Sequence, residues 1–197
     1  MSKHVDYYFS PASPWTYLGH ERFAAIAKRH GAEIAVKPVD YGVIFPQSGG
    51  LPLGKRAPQR QAYRLMELGR WKAQLGVPLN AQPKFFPVDG NPAALAIVAA
   101  APSGAEAQMR LAGAILRALW AEEKNIADPA ALKAAAAAAG LDGDKLLADA
   151  AAAKAQYDAF TQEALARGVF GAPTYVYRDE LFWGQDRLDF LDRALAK

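Results

Sequence analysis

The chain has 197 residues, 52% of them hydrophobic, enough to bury a sizeable core in one domain or two interleaved ones. A net charge of +3 without a long basic run argues against nucleic acid as a partner. Cysteine is absent, so disulfides, thiolate metal sites and cysteine redox chemistry are excluded, and no apolar stretch is long enough for a membrane span.

The opening Met1-Ser2-Lys3-His4 lacks the long apolar segment of a signal peptide, so a cytoplasmic protein is expected. Val5–Phe9 combines aromatic and β-branched residues ahead of the breakers Ser10-Pro11-Ala12, which predicts a strand. A helix is expected from Pro14 to about Arg29, with Ser13 as N-cap and Pro14 in the first turn, where its missing N–H costs nothing. Trp15, Gly19, Phe23 and Ile26 mark its inward face, and Gly31 ends it. The three histidines, His4, His20 and His30, lack metal-like spacing and read as surface or helix residues; no metal site is expected. Glu33–Pro38 alternates as a second strand, completing a βαβ unit.

Residues 39–57 hold Gly42, Pro46, Gly49, Gly50, Pro52 and Gly54 and predict an ordered loop. From Pro58 to about Arg167 nearly everything predicts helix, with Leu111, Ile115, Leu116, Leu119 and Trp120 on one broad apolar face. The alanine runs at 134–139 and 150–153 predict outer helices that bury little. Two short strands follow Ala172-Pro173, at Thr174–Tyr177 and Leu181–Trp183, joined through Arg178-Asp179-Glu180. A closing helix is expected from Asp186 to Ala196. The predicted class is α/β: a thioredoxin-like βαβ…ββα domain from 1–57 and 168–197, carrying an all-helical insertion from 58–167.

The element order, Ser13-Pro14-Trp15-Thr16-Tyr17-Leu18, Lys37-Pro38-Val39, Gly171-Ala172-Pro173-Thr174 and Phe182-Trp183-Gly184-Gln185-Asp186-Arg187 together resemble a 2-hydroxychromene-2-carboxylate isomerase. That family stands with the kappa-class glutathione transferases and the DsbA-like branch of thioredoxin folds. The resemblance spans essentially the whole chain. It implies a soluble enzyme, usually a homodimer, with glutathione as cofactor and a small aromatic keto acid as substrate.

On this resemblance Ser13 is the catalytic residue, its hydroxyl donating to a glutathione thiolate above a helix N-terminus that favours an anion. The same hydroxyl is also a good N-cap, and the two uses compete. Thr16 stands where a second cysteine of a dithiol motif would be and reads as structural. Ala172 and Pro173 resemble a cis-proline corner, where the Ala172 backbone pairs with the extended cofactor as an added strand does. Gln185 and Asp186 are assigned to the γ-glutamyl end, Asp186 also serving as a helix N-cap, and Arg187 to a structural ion pair. Related transferases carry an asparagine where this chain has Gly50, and Lys55 or Arg56 is the candidate cation for a cofactor carboxylate. Arg56, Arg60 and Arg64 are four apart and define one helix face, which for Arg60 and Arg64 reads equally well as a solvated stripe. Trp71, Phe85 and Phe86 are candidates for an aromatic pocket, or simply core.

Two other readings stay open. One is a kappa-type glutathione transferase or peroxidase using the same thiolate. The other, from a different class, is a non-catalytic glutathione- or peptide-binding protein.

Overall fold

The computed structural model describes residues 3–197. Met1 and Ser2, part of the opening read above, lie outside the described residues. Strand β1 (His4–Phe9) leads into helix α1 (Pro14–His30), and β2 (Glu33–Pro38) returns parallel to β1 with Tyr7 opposite Val36. At the other end of the chain, β3 (Thr174–Tyr177) runs antiparallel to β1, and β4 (Glu180–Trp183) antiparallel to β3. The sheet order is β2-β1-β3-β4. Arg178 and Asp179 form the β3–β4 turn with φ of 50° and 62°, the doubly left-handed geometry that suits a tight hairpin.

Side-chain alternation along β1 splits the core in two. Val5, Tyr7 and Phe9 face one side, where Tyr7 stacks on Phe9 and Tyr175, and Phe23 of α1 leans on both tyrosines. Tyr8 faces the other side with Val39, Ile44, Val169 and Val176. Both faces are therefore covered, which is why β1 is buried from Val5 to Phe9.

The segment 39–57 departs from the loop its composition predicts. It contains helix α2 (Tyr41–Ser48) and a 3-10 turn, Leu53–Lys55. Asp40 caps α2 by accepting from the Gly42 N–H at 2.7 Å, and Tyr41 and Ile44 bury its inner side. Gly49, with φ 74°, ends it.

Helix α3 (Pro58–Leu75) crosses α1, with Leu68 buried against Leu18 and Leu79. Residues 76–90 then run without helix, a break in the predicted helical block. It is followed by α4 (Asn91–Ala99), α5 (Ala105–Trp120), α6 (Pro129–Ala138), α7 (Gly143–Asp149) and α8 (Lys154–Ala166). The first alanine run is half core: Ala135, Ala136 and Ala139 are buried while their neighbours face out. The second, 150–153, is the turn between α7 and α8. The closing helix begins with a 3-10 turn, Gln185–Arg187, before α9 (Leu188–Leu195).

His20 is a buried helix residue. Its Nε2 donates to the Met109 carbonyl at 2.9 Å and its Nδ1 accepts from the Tyr7 hydroxyl at 3.2 Å, and burial lowers its pKa. Among the described residues no cluster of histidine, aspartate and glutamate suits a metal, and no helix is long and apolar enough to cross a membrane.

Candidate active site

Helix α1 starts where the sheet ends. The Ser13 Oγ accepts from the Thr16 N–H at 3.2 Å, so the residue is the N-cap its position predicts. Capping uses only a lone pair, which leaves the hydroxyl proton free to donate elsewhere. The competition between the two uses therefore dissolves. Thr16 is fully buried, and its hydroxyl has no hydrogen-bond partner among the described residues.

The Ala172–Pro173 peptide bond is cis, and the Pro173 carbonyl accepts from the Gly184 N–H at 2.8 Å. That bond ties the corner to the end of β4. Gly171 in turn is fixed through its carbonyl, which accepts from the Tyr41 hydroxyl at 2.9 Å and the Thr174 hydroxyl at 2.7 Å.

Between this corner, α1 and α3 lies a cavity of about 510 Å³, a size that suits a small-molecule ligand. Of the residues assigned to cofactor binding, Arg56, Ala172, Gln185 and Asp186 line it. Ser13, Lys55 and Pro173 do not, although Trp15, in the first turn of α1, does. Lys55 points into solvent at the end of its 3-10 turn. Gln185 is buried, with its Oε1 accepting from Arg22 at 2.7 Å, so its side chain serves to lock the 3-10 turn onto α1. That contact is close: a Cβ at Gly19 would stand 2.8 Å from the Gln185 Cβ and 2.9 Å from the Tyr175 hydroxyl.

Asp186 does not cap the last helix. Its carboxylate accepts from Arg187 at 2.7 Å and stays exposed, and α9 starts without a side-chain cap. The ion-pair role read for Arg187 is thus the one seen. A side chain at Gly50 would collide with the Phe45 ring, so Phe45 fills the space that an asparagine there would need.

The wall made by α3 and the turn before it is unusual in charge, with Arg56 ahead of the helix rather than on the face its spacing predicts it to share with Arg60 and Arg64. Arg56, Arg60 and Arg64 all line the cavity, from a half-buried Arg56 and an exposed Arg60 to Arg64 at 8% exposure. None of the three makes an ion pair among the described residues. The lining acids are already engaged, Asp186 by Arg187 and Glu67 by Arg70 at 2.5 Å. Arg56 donates from Nε to the Leu51 carbonyl at 2.8 Å. Burial, and secondarily the nearby Arg56, pulls the Arg64 pKa down to about 10. The solvated-stripe reading holds for Arg60 and fails for Arg64.

Aromatic side chains complete the wall. Trp71 lines the cavity as expected, but Phe86 lies behind Arg64 and Phe85 packs against the main core. Tyr63 and Trp183 also line it without a sequence signal of their own, as does Trp15, whose spacing predicts only the inward face of α1.

The DSBA-like thioredoxin domain family matches residues 4–196. A 2-hydroxychromene-2-carboxylate isomerase of Sphingobium xenophagum is 33% identical, the alignment covering 99% of each chain. One from Pseudomonas putida is 31% identical, over 98% of this chain and 94% of that one. The solved structure of a 2-hydroxychromene-2-carboxylate isomerase superimposes with a TM-score of 0.82 at 28% identity, covering 98% of this chain and 94% of that chain.

Proposed function

The chain belongs to the DSBA-like thioredoxin domain family and, within it, to the 2-hydroxychromene-2-carboxylate isomerases, and from that premise we propose that it works with glutathione as a recovered cofactor. The reaction assigned is the interconversion of 2-hydroxychromene-2-carboxylate, or a close analogue, and trans-o-hydroxybenzylidenepyruvate. One observation carries the cofactor reading: Arg56, Ala172, Gln185 and Asp186, brought from opposite ends of the chain, line a single cavity.

The donor set there fits glutathione, an acidic peptide with two carboxylates and one ammonium group. Arg56 and Arg60, without acid partners and nearer to solvent, suit the carboxylates, and the exposed Asp186 carboxylate suits the ammonium. Ala172 offers main-chain groups to an extended peptide. Gln185 contributes through its placement of the turn, since its side chain is held by Arg22.

Bound glutathione supplies a thiolate able to add reversibly to a double bond conjugated with a keto acid, which frees that bond to rotate. The chain's share is positional and electrostatic. Ser13, with its lone pair on Thr16, retains a proton to donate to sulfur and so favours the ionised thiol. Trp15, Trp71 and Trp183 offer flat apolar surface to an aromatic ring. The arginine stripe offsets the charge of a carboxylate substrate. Homodimer formation and a cytoplasmic setting belong to the same reading.

Absorbance kinetics on the hydroxychromene acid test it. Equilibration with the trans isomer is expected in the presence of glutathione, together with poor conjugation of chlorodinitrobenzene. Rapid conjugation without isomerisation would favour a kappa-type transferase. Inertness in both assays, with glutathione still bound, would favour a non-catalytic binding protein.

A further inference from the structure

Helix α3 contributes two buried residues to the fold, Leu68 and Arg64. Leu68 joins an apolar cluster, but Arg64 occupies an inward position with a charge and no ion pair or hydrogen bond among the described residues. Its guanidinium lies over the Phe86 ring, 5.1 Å from the centroid, and 5.8 Å from that of Trp120. Its Nη2 is a buried donor without an acceptor, and so is the neighbouring Trp120 Nε1. An open guanidinium donor of this kind defines a place where an acceptor-only group belongs. Arg64 nevertheless lines the cavity, so an anion entering there meets it.

We propose that Arg64 anchors the carboxylate of the keto-acid substrate, an assignment that rests on the isomerase reading above. Three observations separate this carboxylate from those of glutathione. Arg64 is the buried member of the stripe, whereas Arg56 and Arg60 are nearer to solvent, where the ends of a flexible peptide reach. Its surroundings are aromatic, with Phe86 and Trp120 beneath it and Trp71 on the same cavity wall. A carboxylate carried by a molecule with an aromatic ring can use both the guanidinium and the Trp71 face, and a glycine or γ-glutamyl carboxylate has no ring to place there. Finally, a planar guanidinium binds a carboxylate through two parallel hydrogen bonds, and such a pair is strongest where water is excluded. The site therefore holds its cation uncompensated until the substrate arrives.

The test compares 2-hydroxychromene-2-carboxylate with its methyl ester, and the wild-type protein with Arg64→Met and Arg64→Lys. Wild type should prefer the acid by at least about 30-fold in kcat/KM, the scale of a charge-assisted hydrogen-bonded pair. Arg64→Met should lose that preference, mainly through KM for the acid, with ester turnover and glutathione affinity by calorimetry kept within about twofold. Arg64→Lys should restore part of the acid preference, because it keeps the charge and gives up the planar fork. Melting temperatures of both variants guard against misfolding, and the acid-to-ester ratio of the wild type needs no variant at all. Equal turnover of acid and ester by wild type would overturn the assignment. So would equal losses on both substrates in Arg64→Met, or a large loss of glutathione affinity, which would move Arg64 to the cofactor. A wild type that binds glutathione and isomerises neither compound would remove the isomerase reading itself, and the assignment with it.

Discussion

The Ser13 hydroxyl accepts a hydrogen bond from the backbone of its own helix, and its remaining proton is the basis for the catalytic role proposed for it. Ser13→Ala should cost about 1 kcal/mol of stability through the lost cap. Losing a donor to the thiolate raises the thiol pKa, so the rise of rate with pH should move to higher pH. A lower melting point with an unmoved pH–rate profile would assign Ser13 to capping alone. This residue was legible in the sequence because Ser-Pro before an apolar-periodic run is a helix start whatever else it does. Arg64 was not legible in the same way. Arginines four apart on a helix usually mark a solvated face, and only the fold shows that this one is buried behind aromatic rings. Asp186 does not cap the last helix, because its own neighbour, Arg187, takes the carboxylate.

Strands β1, β2 and β3 and helix α1 follow from local pattern, since alternation, a proline at N1 and a stop glycine all agree there. Helix α2 does not, because Gly42 and Pro46 are breakers by propensity, and it forms through the Asp40 cap and the burial of Tyr41 and Ile44. The closing helix α9 is docked by charge as well as by leucines. Its Asp192 accepts from Arg29 at 2.7 Å and from His30 at 2.6 Å, both at the end of α1. The hydrogen bond from Arg29, then that from His30, holds the Asp192 carboxyl below its ordinary pKa. A carboxyl lowered on folding stabilises the protein above its unfolded pKa, and that contribution fades as pH falls through the folded value. Asp192→Asn should therefore lose a few tenths of a kcal/mol at neutral pH, the scale of an exposed pair. Its stability should begin to approach that of wild type below about pH 4 and meet it once pH has fallen through the lowered folded value. Denaturant melts at both pH values check this, and a gap that persists or widens in acid would refute the linkage.

The helical block and the sheet are joined by a charge network, buried at Asp6 and open to solvent at Arg167, that no sequence pattern announced. Asp6 of β1, at 6% exposure, receives Lys37 of β2 at 2.7 Å and Arg167, just past α8, at 3.0 Å. Lys37 also reaches Glu163 of α8 at 2.8 Å, and the Tyr8 hydroxyl donates to the same carboxylate at 2.8 Å. Apart from Asp6 and Lys37, the partners lie more than a hundred residues apart, so periodicity cannot reveal them. Lys37→Met leaves a buried carboxylate with one cation fewer and should cost about 3 kcal/mol. Equilibrium unfolding measures it, and a loss under about 1 kcal/mol would mean that Arg167 alone satisfies Asp6. The network holds α8 against the sheet on the face opposite α1, and the corner to which we assign glutathione is built from β3, β4 and α1. Glutathione is thus assigned to a rigid seam, and the chemistry to the cofactor rather than to a protein nucleophile. The most direct measurement is the fate of glutathione when the hydroxychromene acid is in large excess over it. The acid should equilibrate fully with its trans isomer while mass spectrometry finds free glutathione unchanged and no thioether in the product. Conversion that stops when glutathione is used up, or that runs equally fast without it, would contradict a recovered thiol cofactor.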